Sequence, residues 1–379
     1  MKTNTKKVLF VSGYPKSLIN FRGDLIKDLI GVGFEVHVCA PFSKYDTEDI
    51  KELKKLGTEY HNIRLLQQKL SFLSDIGTVF DIFKLCKKIK PDIVITYTAK
   101  PVIYTGLVTF LIRSLHHFPI ITGLGYAFSG GKEAKRRLLR ILLTSLYRFS
   151  LKRSKKVFFQ NDDDQDFFIR KKIFVKKDST LVIPGSGVNL KKFVKSDVPS
   201  KNIFLMVGRL LDEKGINEYL NAALLVKKER PEVIFKIAGQ FDLNPGAIKK
   251  RVLRRFIRKG VVDYLGSVDN IRPILKNCKC FVLPSYREGT PRATLEALAV
   301  GRPIITTDAV GCRDTIKSNI NGILVPARDT NALASAMLKI INLSETEVQK
   351  MGNESYLIAK NCYDVKHVNS FLINAITAD

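Results

Sequence analysis

CFVLPSYREGTPRATLEALAVGRPIITTD, residues Cys280 to Asp308, decides how this chain folds. The run Cys280–Pro284 is apolar, short and bounded by turn residues, which reads as a buried strand. Pro303–Asp308 reads the same way. Between them Thr290 can cap a helix, Pro291 suits its first turn, and Gly301 ends it. Short buried strands separated by helices form a parallel sheet covered on both faces.

The pattern extends in both directions. Upstream, "NIFLMVGRL" and "VIFKIAGQ" read as strands and "INEYLNAALLVKKER" as a helix; downstream, "GILVPA" reads as a strand and "TNALASAMLKIINL" as a helix. The first half runs through its own series, from "KVLFVSG" and "EVHVCAP" through "IVITYTA" and "HFPIITGLG" to "KKVFFQN" and "STLVIPG". With 379 residues the chain has length for two cores. The expected fold class is α/β, two doubly wound parallel-sheet (Rossmann-like) domains. The polar, proline-bearing "NLKKFVKSDVPSKN" places the boundary near Asp197, giving domains 1–196 and 197–379.

Apolar content of 45% and charged content of 26% are those of a globular protein. The apolar stretch Val102–Ile112 is about half of the ~20 residues a membrane span needs. The start, "MKTNTKKVLFVSGYP", carries too short an apolar run for a signal peptide and reads as a first strand, so a cytoplasmic location is expected. The six cysteines lack metal-ligand spacing and read as reduced core residues.

The net charge is +27. Such an excess attracts phosphates, whether of lipid, nucleic acid or small substrates. It is densest in Lys132–Lys156, where Leu138, Leu139, Leu142, Leu146 and Phe149 recur at helical spacing. A basic amphipathic helix can lie on an anionic membrane surface. It can equally be a core helix with a solvated basic face.

Returning to the opening stretch, Glu288 falls in the loop at a strand's carboxyl end, where open α/β sheets bind ligands. Glu296 falls inside the helix, with Ala293, Ala299 and Val300 three or four residues away. A carboxylate on that apolar face is costly without a partner. Sugar hydroxyls suit it, as does a structural ion pair with an arginine such as Arg292. The helix start between the two acids suits a phosphate. Arg209 and Lys214, five apart after another strand, can be aimed by a short turn at one phosphate. Gly13, Gly123, Gly125 and Gly239 follow strands, where glycine lets backbone approach a ligand closely. Neither a dinucleotide fingerprint nor a phosphate-binding P-loop motif is present. None of the five histidines stands in a metal-like or triad-like setting, and Asp162–Asp164 read as the acidic start of a helix.

Together, "GRLLDEKG", "AGQ", "DYLG", the stretch from Val282 to Ile316 and "NGILVPARD" resemble the second domain of retaining glycosyltransferases of family 4, which have the GT-B fold, two such domains facing across a cleft. "NFRGDLIKDLIGVGFEVHVCAP", "YTAKPVIYTG" and "ITGLGYAF" resemble a narrower group. That group is the bacterial capsule and O-antigen transferases, including N-acetylgalactosaminyltransferases acting on undecaprenyl-diphosphate-linked sugars.

The resemblance implies a nucleotide sugar, of UDP type, in the second domain and a polyprenyl-diphosphate-linked acceptor on the first. The last helix is expected to pack back on the first domain. Arg209 and Lys214 would hold the diphosphate, Glu288 the donor sugar as the best catalytic candidate, and Glu296 the ribose. Backbone from Gly289 through Thr290 and Pro291 to Thr294 would complete the phosphate cradle. Arg22 and Lys100, expected in loops, would meet the acceptor diphosphate. The resemblance implies that no metal or other cofactor is required, and a peripheral place on the inner face of the cytoplasmic membrane. Many relatives carry a histidine where this chain reads "TGLGYAF", which puts a single catalytic base in doubt. A UDP-sugar epimerase of the same fold, or a basic nucleic-acid-binding protein, are the competing readings.

Overall fold

The computed structural model describes residues 5–43, 46–66, 72–125, 128, 134–174, 177–242 and 246–378. They form two compact units: Met1–Ser186 with Val365–Asp379, and Gly187–Asp364. The units divide before Asp197, the boundary expected from sequence. Arg302 explains why. Its fully buried guanidinium donates to the carbonyls of Ser196, Asp197 (2.8 Å), Val300 (3.0 Å) and Cys278 (3.1 Å). The polar segment that looks like a linker is thus pinned to the second unit by a buried charge that needs acceptors.

The first unit runs β1 (Lys7–Val11), α1 (Pro15–Gly31), β2 (Glu35–Ala40), α2 (Thr47–Lys55), β3 (Glu59–Asn62), α3 (Phe72–Ile89), β4 (Ile93–Tyr97), α4 (Ala99–Leu111), β5 (His116–Ile121), α5 (Ala134–Ser150), β6 (Val157–Phe159), α6 (Asp162–Arg170) and β7 (Thr180–Val182). Its strands pair in parallel in the order β3-β2-β1-β4-β5-β6-β7. Successive side chains of a strand face opposite ways. Leu9, Val11 and Val94 join one core cluster and Val8, Phe10, Ile93 and Ile95 another. Both faces are buried, which is why the strands read as unbroken apolar runs. The edge strand β3, "EYHN", is polar and carries no such signal.

The second unit runs β8 (Ile203–Val207), α7 (Ile216–Glu229), β9 (Ile234–Ala238), α8 (Lys250–Arg258), β10 (Asp263–Tyr264), α9 (Arg272–Lys276), β11 (Cys280–Leu283), α10 (Arg292–Val300), β12 (Ile304–Thr307), β13 (Gly322–Val325), α11 (Thr330–Asn342) and α12 (Glu345–Cys362). Its parallel order is β10-β9-β8-β11-β12-β13. The final helix, α13 (Val365–Thr377), belongs to the first unit. There Val368, Leu372 and Ile376 complete the Val8/Phe10 cluster, and Asn369 donates to Asp28 at 2.6 Å.

The basic helix divides its leucines. Leu139, Leu143 and Leu146 of α5 pack on the first unit's core. Leu138, Ile141, Leu142 and Phe149 form an opposite stripe that is 45–69% exposed. Lys132 and Glu133 of the basic run lie outside the described residues.

Candidate functional site

In the second sheet the strand order reverses between β8 and β11, so these neighbours send their following loops in different directions. A doubly wound sheet opens its ligand crevice at this point. After β8 a short 3-10 turn, Asp212–Lys214, presents Lys214. After β11 the loop carries Ser285 and Glu288. Tyr286 N–H donates to Glu213 O at 2.9 Å and ties the two loops together. Lys214 Nζ then donates to Glu288 Oε1 at 2.5 Å, and Ser285 Oγ donates to the same oxygen at 2.6 Å. The Lys214 and Glu288 side chains keep 18% and 11% of their surface exposed. Glu288 is thus oriented by a cation and a hydroxyl, at the rim of the sheet.

The Glu288 loop is fixed from its other side. Glu288 N–H donates to Val310 O at 2.9 Å. Gly311 has φ +75°, and a Cβ there would lie 2.2 Å from Gly289 O and 2.4 Å from Glu288 O. Only glycine allows the loop after β12 to lie this close. Gly239 plays the same part after β9, where a Cβ would lie 1.8 Å from Gly208 O. Its glycine is required by backbone meeting backbone.

α10 begins at Arg292 with Pro291 in the N-cap position and no side-chain cap, so Thr290 does not cap it. Thr294 N–H donates to Pro291 O at 3.0 Å, which spends one of the amides expected to cradle phosphate. The Thr294 hydroxyl is buried and has no protein partner among the described residues. Leu295, Ala297, Leu298, Ala299 and Val300 are fully buried. Glu296 turns to Arg292, which donates from Nε at 3.0 Å and from Nη1 to Gly187 O at 2.9 Å. The ion pair is therefore formed. Burial pushes the Glu296 carboxyl above its ordinary range, and the Arg292 charge opposes that shift.

Arg209 does not converge with Lys214. Leu210 N–H is tied to Gln240 O at 3.2 Å, and Arg209 reaches Asp242 Oδ2 at 2.9 Å while 52% exposed. Three further residues complete this rim. Tyr286 donates to Glu218 Oε1 at 2.7 Å, and the Arg328 guanidinium lies 4.5 Å from the Tyr286 ring centroid. Burial, with Glu218 beside it, raises the Tyr286 hydroxyl pKa. Ser285 was readable in the opening stretch. Glu218 and Arg328 lie far away in sequence and carry no local signal.

In the first unit the strand order reverses between β1 and β4. Gly13 follows β1 and is buried. Beside it Ser12, Ser17 and Tyr97 form a hydroxyl triangle with edges of 2.6, 2.8 and 2.9 Å. Thr98 follows β4 with φ 67° and ψ 158°, a conformation costly for any residue but glycine. Arg22 and Lys100, expected in loops, lie on helices. Arg22 is 2% exposed on α1, with its guanidinium 5.2 Å from the Tyr97 centroid. The cause is where α1 starts: at Pro15, so that Arg22 falls on its core face. Lys100 sits in the first turn of α4 and donates to Asp75 at 2.8 Å. Gly123 and Gly125 follow β5 with φ of +110° and +66°. The residues Tyr126 and Ala127 after them lie outside the described set. Two histidines that look unremarkable in sequence, His37 and His61, meet Glu59 on β2 and β3.

Known proteins agree with this architecture. Residues 7–161 match the family model "Glycosyl transferase 4-like", and residues 188–357 match "Glycosyl transferases group 1". Over 369 residues the chain is 28% identical to an N,N'-diacetylbacillosaminyl-diphospho-undecaprenol alpha-1,3-N-acetylgalactosaminyltransferase of Campylobacter jejuni, covering 94% of this chain and 92% of that one. It is 29% identical to a UDP-Gal:alpha-D-GlcNAc-diphosphoundecaprenol alpha-1,3-galactosyltransferase of Escherichia coli, covering 81% and 79%. Among solved structures, the sucrose-phosphate synthase of Thermosynechococcus elongatus superposes with a TM-score of 0.80 at 18% identity, covering 98% of each chain. Anabaena HepE in complex with UDP gives 0.76 at 16%, covering 99% and 100%. The chain is a glycosyltransferase of GT-B fold, with a glycosyl transferase 4-like first half and a group 1 second half. It is a hexosyltransferase. These relatives lend nothing to the epimerase or nucleic-acid reading.

Proposed function

We propose that this protein transfers a hexose or N-acetylhexosamine from a UDP-sugar to a polyprenyl-diphosphate-linked saccharide, with retention at the anomeric carbon. The observation that carries the reading is the Lys214–Glu288 pair, 2.5 Å apart and drawn from loops 74 residues apart at the switch point of the second sheet. The names of the two relatives supply the acceptor class, and the first also an amino sugar. In the reaction the bond between the anomeric carbon and the diphosphate oxygen breaks. An acceptor hydroxyl bonds to that carbon, and its proton passes to the leaving phosphate oxygen on the same face.

The departing UDP gains negative charge as the bond breaks, and groups already in place stabilise it. Lys214, Arg209 and the start of α10 are those groups. Arg209 has to exchange Asp242, a carboxylate only 6% exposed, for the diphosphate, and its own half-exposed side chain is free to turn. No metal is needed in this reading, because these cations carry the load. Glu288 contacts the sugar hydroxyls. Glu296 accepts the ribose hydroxyls while keeping Arg292, which balances the cost of its burial.

The acceptor lipid requires a membrane-facing surface. The exposed stripe of α5, with Phe149 stacked at 4.5 Å on Phe110 and with Arg137, Lys152 and Arg153 around it, supports docking on anionic lipid at the inner leaflet. Among the described residues no helix is long and apolar enough to cross a membrane. The test is a nucleotide-sugar panel read by mass spectrometry, with undecaprenyl-diphosphate-sugar acceptors. Transfer from one UDP-sugar, abolished in Glu288→Ala, is expected; absence of transfer from every UDP-sugar overturns the donor assignment.

A further inference from the structure

The edge of the first sheet gathers four polar side chains on one face. Register pairs His37 of β2 with Glu59 of β3, and Cys39 with His61. The two-residue period therefore puts Glu35, His37, Glu59 and His61 on the same side. His37 is 3% exposed, and its ring stacks on that of His61 with centroids 5.3 Å apart. His37 Nδ1 lies 3.0 Å from His61 Nε2 and 3.5 Å from Glu59 Oε2. His61 Nε2 lies 3.7 Å from Glu59 Oε1.

The outer nitrogen of His37 sets the tautomer. Nε2–H donates to Glu35 Oε1 at 2.8 Å, and Lys7 Nζ holds the same oxygen at 3.1 Å. A carboxylate only accepts, so the proton sits on Nε2 and the Nδ1 lone pair faces His61 and Glu59. We propose that His37 Nδ1, His61 Nε2 and Glu59 bind a divalent transition-metal ion of the zinc class, with Glu35 as the outer carboxylate that orients His37. The site lies within the first unit and uses none of the residues assigned to the donor sugar.

The geometry suits such an ion. Nitrogen and oxygen ligands at about 2.0–2.1 Å in a tetrahedron stand roughly 3.3 Å apart. The two ring nitrogens stand 3.0 Å apart, and the Glu59 carboxylate comes within 3.5 Å of His37 through Oε2 and within 3.7 Å of His61 through Oε1, so its group lies close to that edge length. In the metal-free chain the His61 proton fills the space, bonding Nε2 to His37 Nδ1; a metal takes its place. A carboxylate behind a ligating imidazole is the usual second layer of a zinc site. Calcium or magnesium would want more oxygen donors than this cluster has. The ion would also join β3 to β2. β3 buries little apolar surface, so a ligand that binds only the folded state adds stability the strand otherwise lacks.

The test uses the full chain without a histidine tag, cleared of metal with a chelator. Zinc titration by calorimetry, with metal analysis after dialysis, should give about one Zn²⁺ per chain and a zinc-dependent rise in Tm. Cobalt should give the visible absorption of a tetrahedral site. His61→Ala and Glu59→Gln should each weaken binding at least tenfold and lose the cobalt spectrum, with Glu59→Gln, at a side chain 64% exposed, keeping the metal-free Tm. Glu35→Gln, which touches no metal, should weaken it roughly 10–100-fold. Failure of the unaltered chain to bind zinc overturns the proposal. So does binding by His61→Ala and Glu59→Gln with unchanged stoichiometry and affinity.

Discussion

Replacing either member of the Lys214–Glu288 pair should move donor binding in opposite directions. In the free protein Lys214 is already engaged by Glu288 at 2.5 Å. A bound diphosphate must therefore draw on a cation that a carboxylate also holds. A hydrogen bond to a charged group contributes about 1.5–3 kcal/mol. With 18% and 11% of the side chains exposed, solvent screening puts this pair at the lower end, about 1.5–2 kcal/mol. Glu288→Gln keeps an oxygen for Lys214 but removes the charge, which roughly halves the bond and frees about 1 kcal/mol. That tightens UDP about fivefold. Lys214→Met removes a charge-assisted contact to the diphosphate and weakens UDP about 10–100-fold. Glu288→Gln should still lower transfer at saturating donor at least about tenfold, because the sugar loses its carboxylate. Calorimetry with UDP and mass-spectrometric transfer assays on the two variants and their double read this out. The reasoning fails if Glu288→Gln weakens UDP, or if Lys214→Met leaves UDP affinity unchanged.

Three further outcomes are expected. Gly311→Ala forces a Cβ against Gly289 O and Glu288 O in a left-handed backbone, so it should cost at least about 2–3 kcal/mol by urea unfolding and lower UDP affinity as the Glu288 loop shifts; an unchanged urea midpoint contradicts this. His117 is buried between Thr96 and Ser154, and burial lowers its pKa from 6.5 to about 3, so the unfolded chain binds a proton that the folded one refuses as pH falls below 6.5. Stability should then drop by about 2 kcal/mol between pH 7 and pH 5, and a His117→Gln variant should lack that slope. Leu138→Glu with Leu142→Glu, on the exposed stripe, should leave Tm nearly unchanged and cut sedimentation with anionic vesicles at least about a hundredfold, since each inserted leucine contributes about 1.5–3 kcal/mol; vesicle binding like that of the unaltered chain rejects docking through α5.

The parallel sheets were legible because strands buried on both faces leave unbroken apolar runs, and the helix after β11 was legible from Pro291 and Gly301. β3 was not, since an edge strand of "EYHN" takes its stability from pairing with β2 rather than from burial. Glu288 stood out as an acid in a loop after a strand. Nothing local foretold that Lys214 would close on it, because that contact depends on the order β8-β11 bringing two distant loops side by side. The same holds for Arg22. Its place on the core face of α1 follows from a helix that starts at Pro15, and the Tyr97 ring that meets it arrives from β4. Residue pattern along the chain carries what depends on neighbours within a turn or a strand: periodicity, caps and the residue types of a phosphate- and sugar-binding loop. Which of those side chains meet is decided by sheet order and register, which join residues tens of positions apart, and so only the tertiary structure could pair Lys214 with Glu288 and His37 with His61.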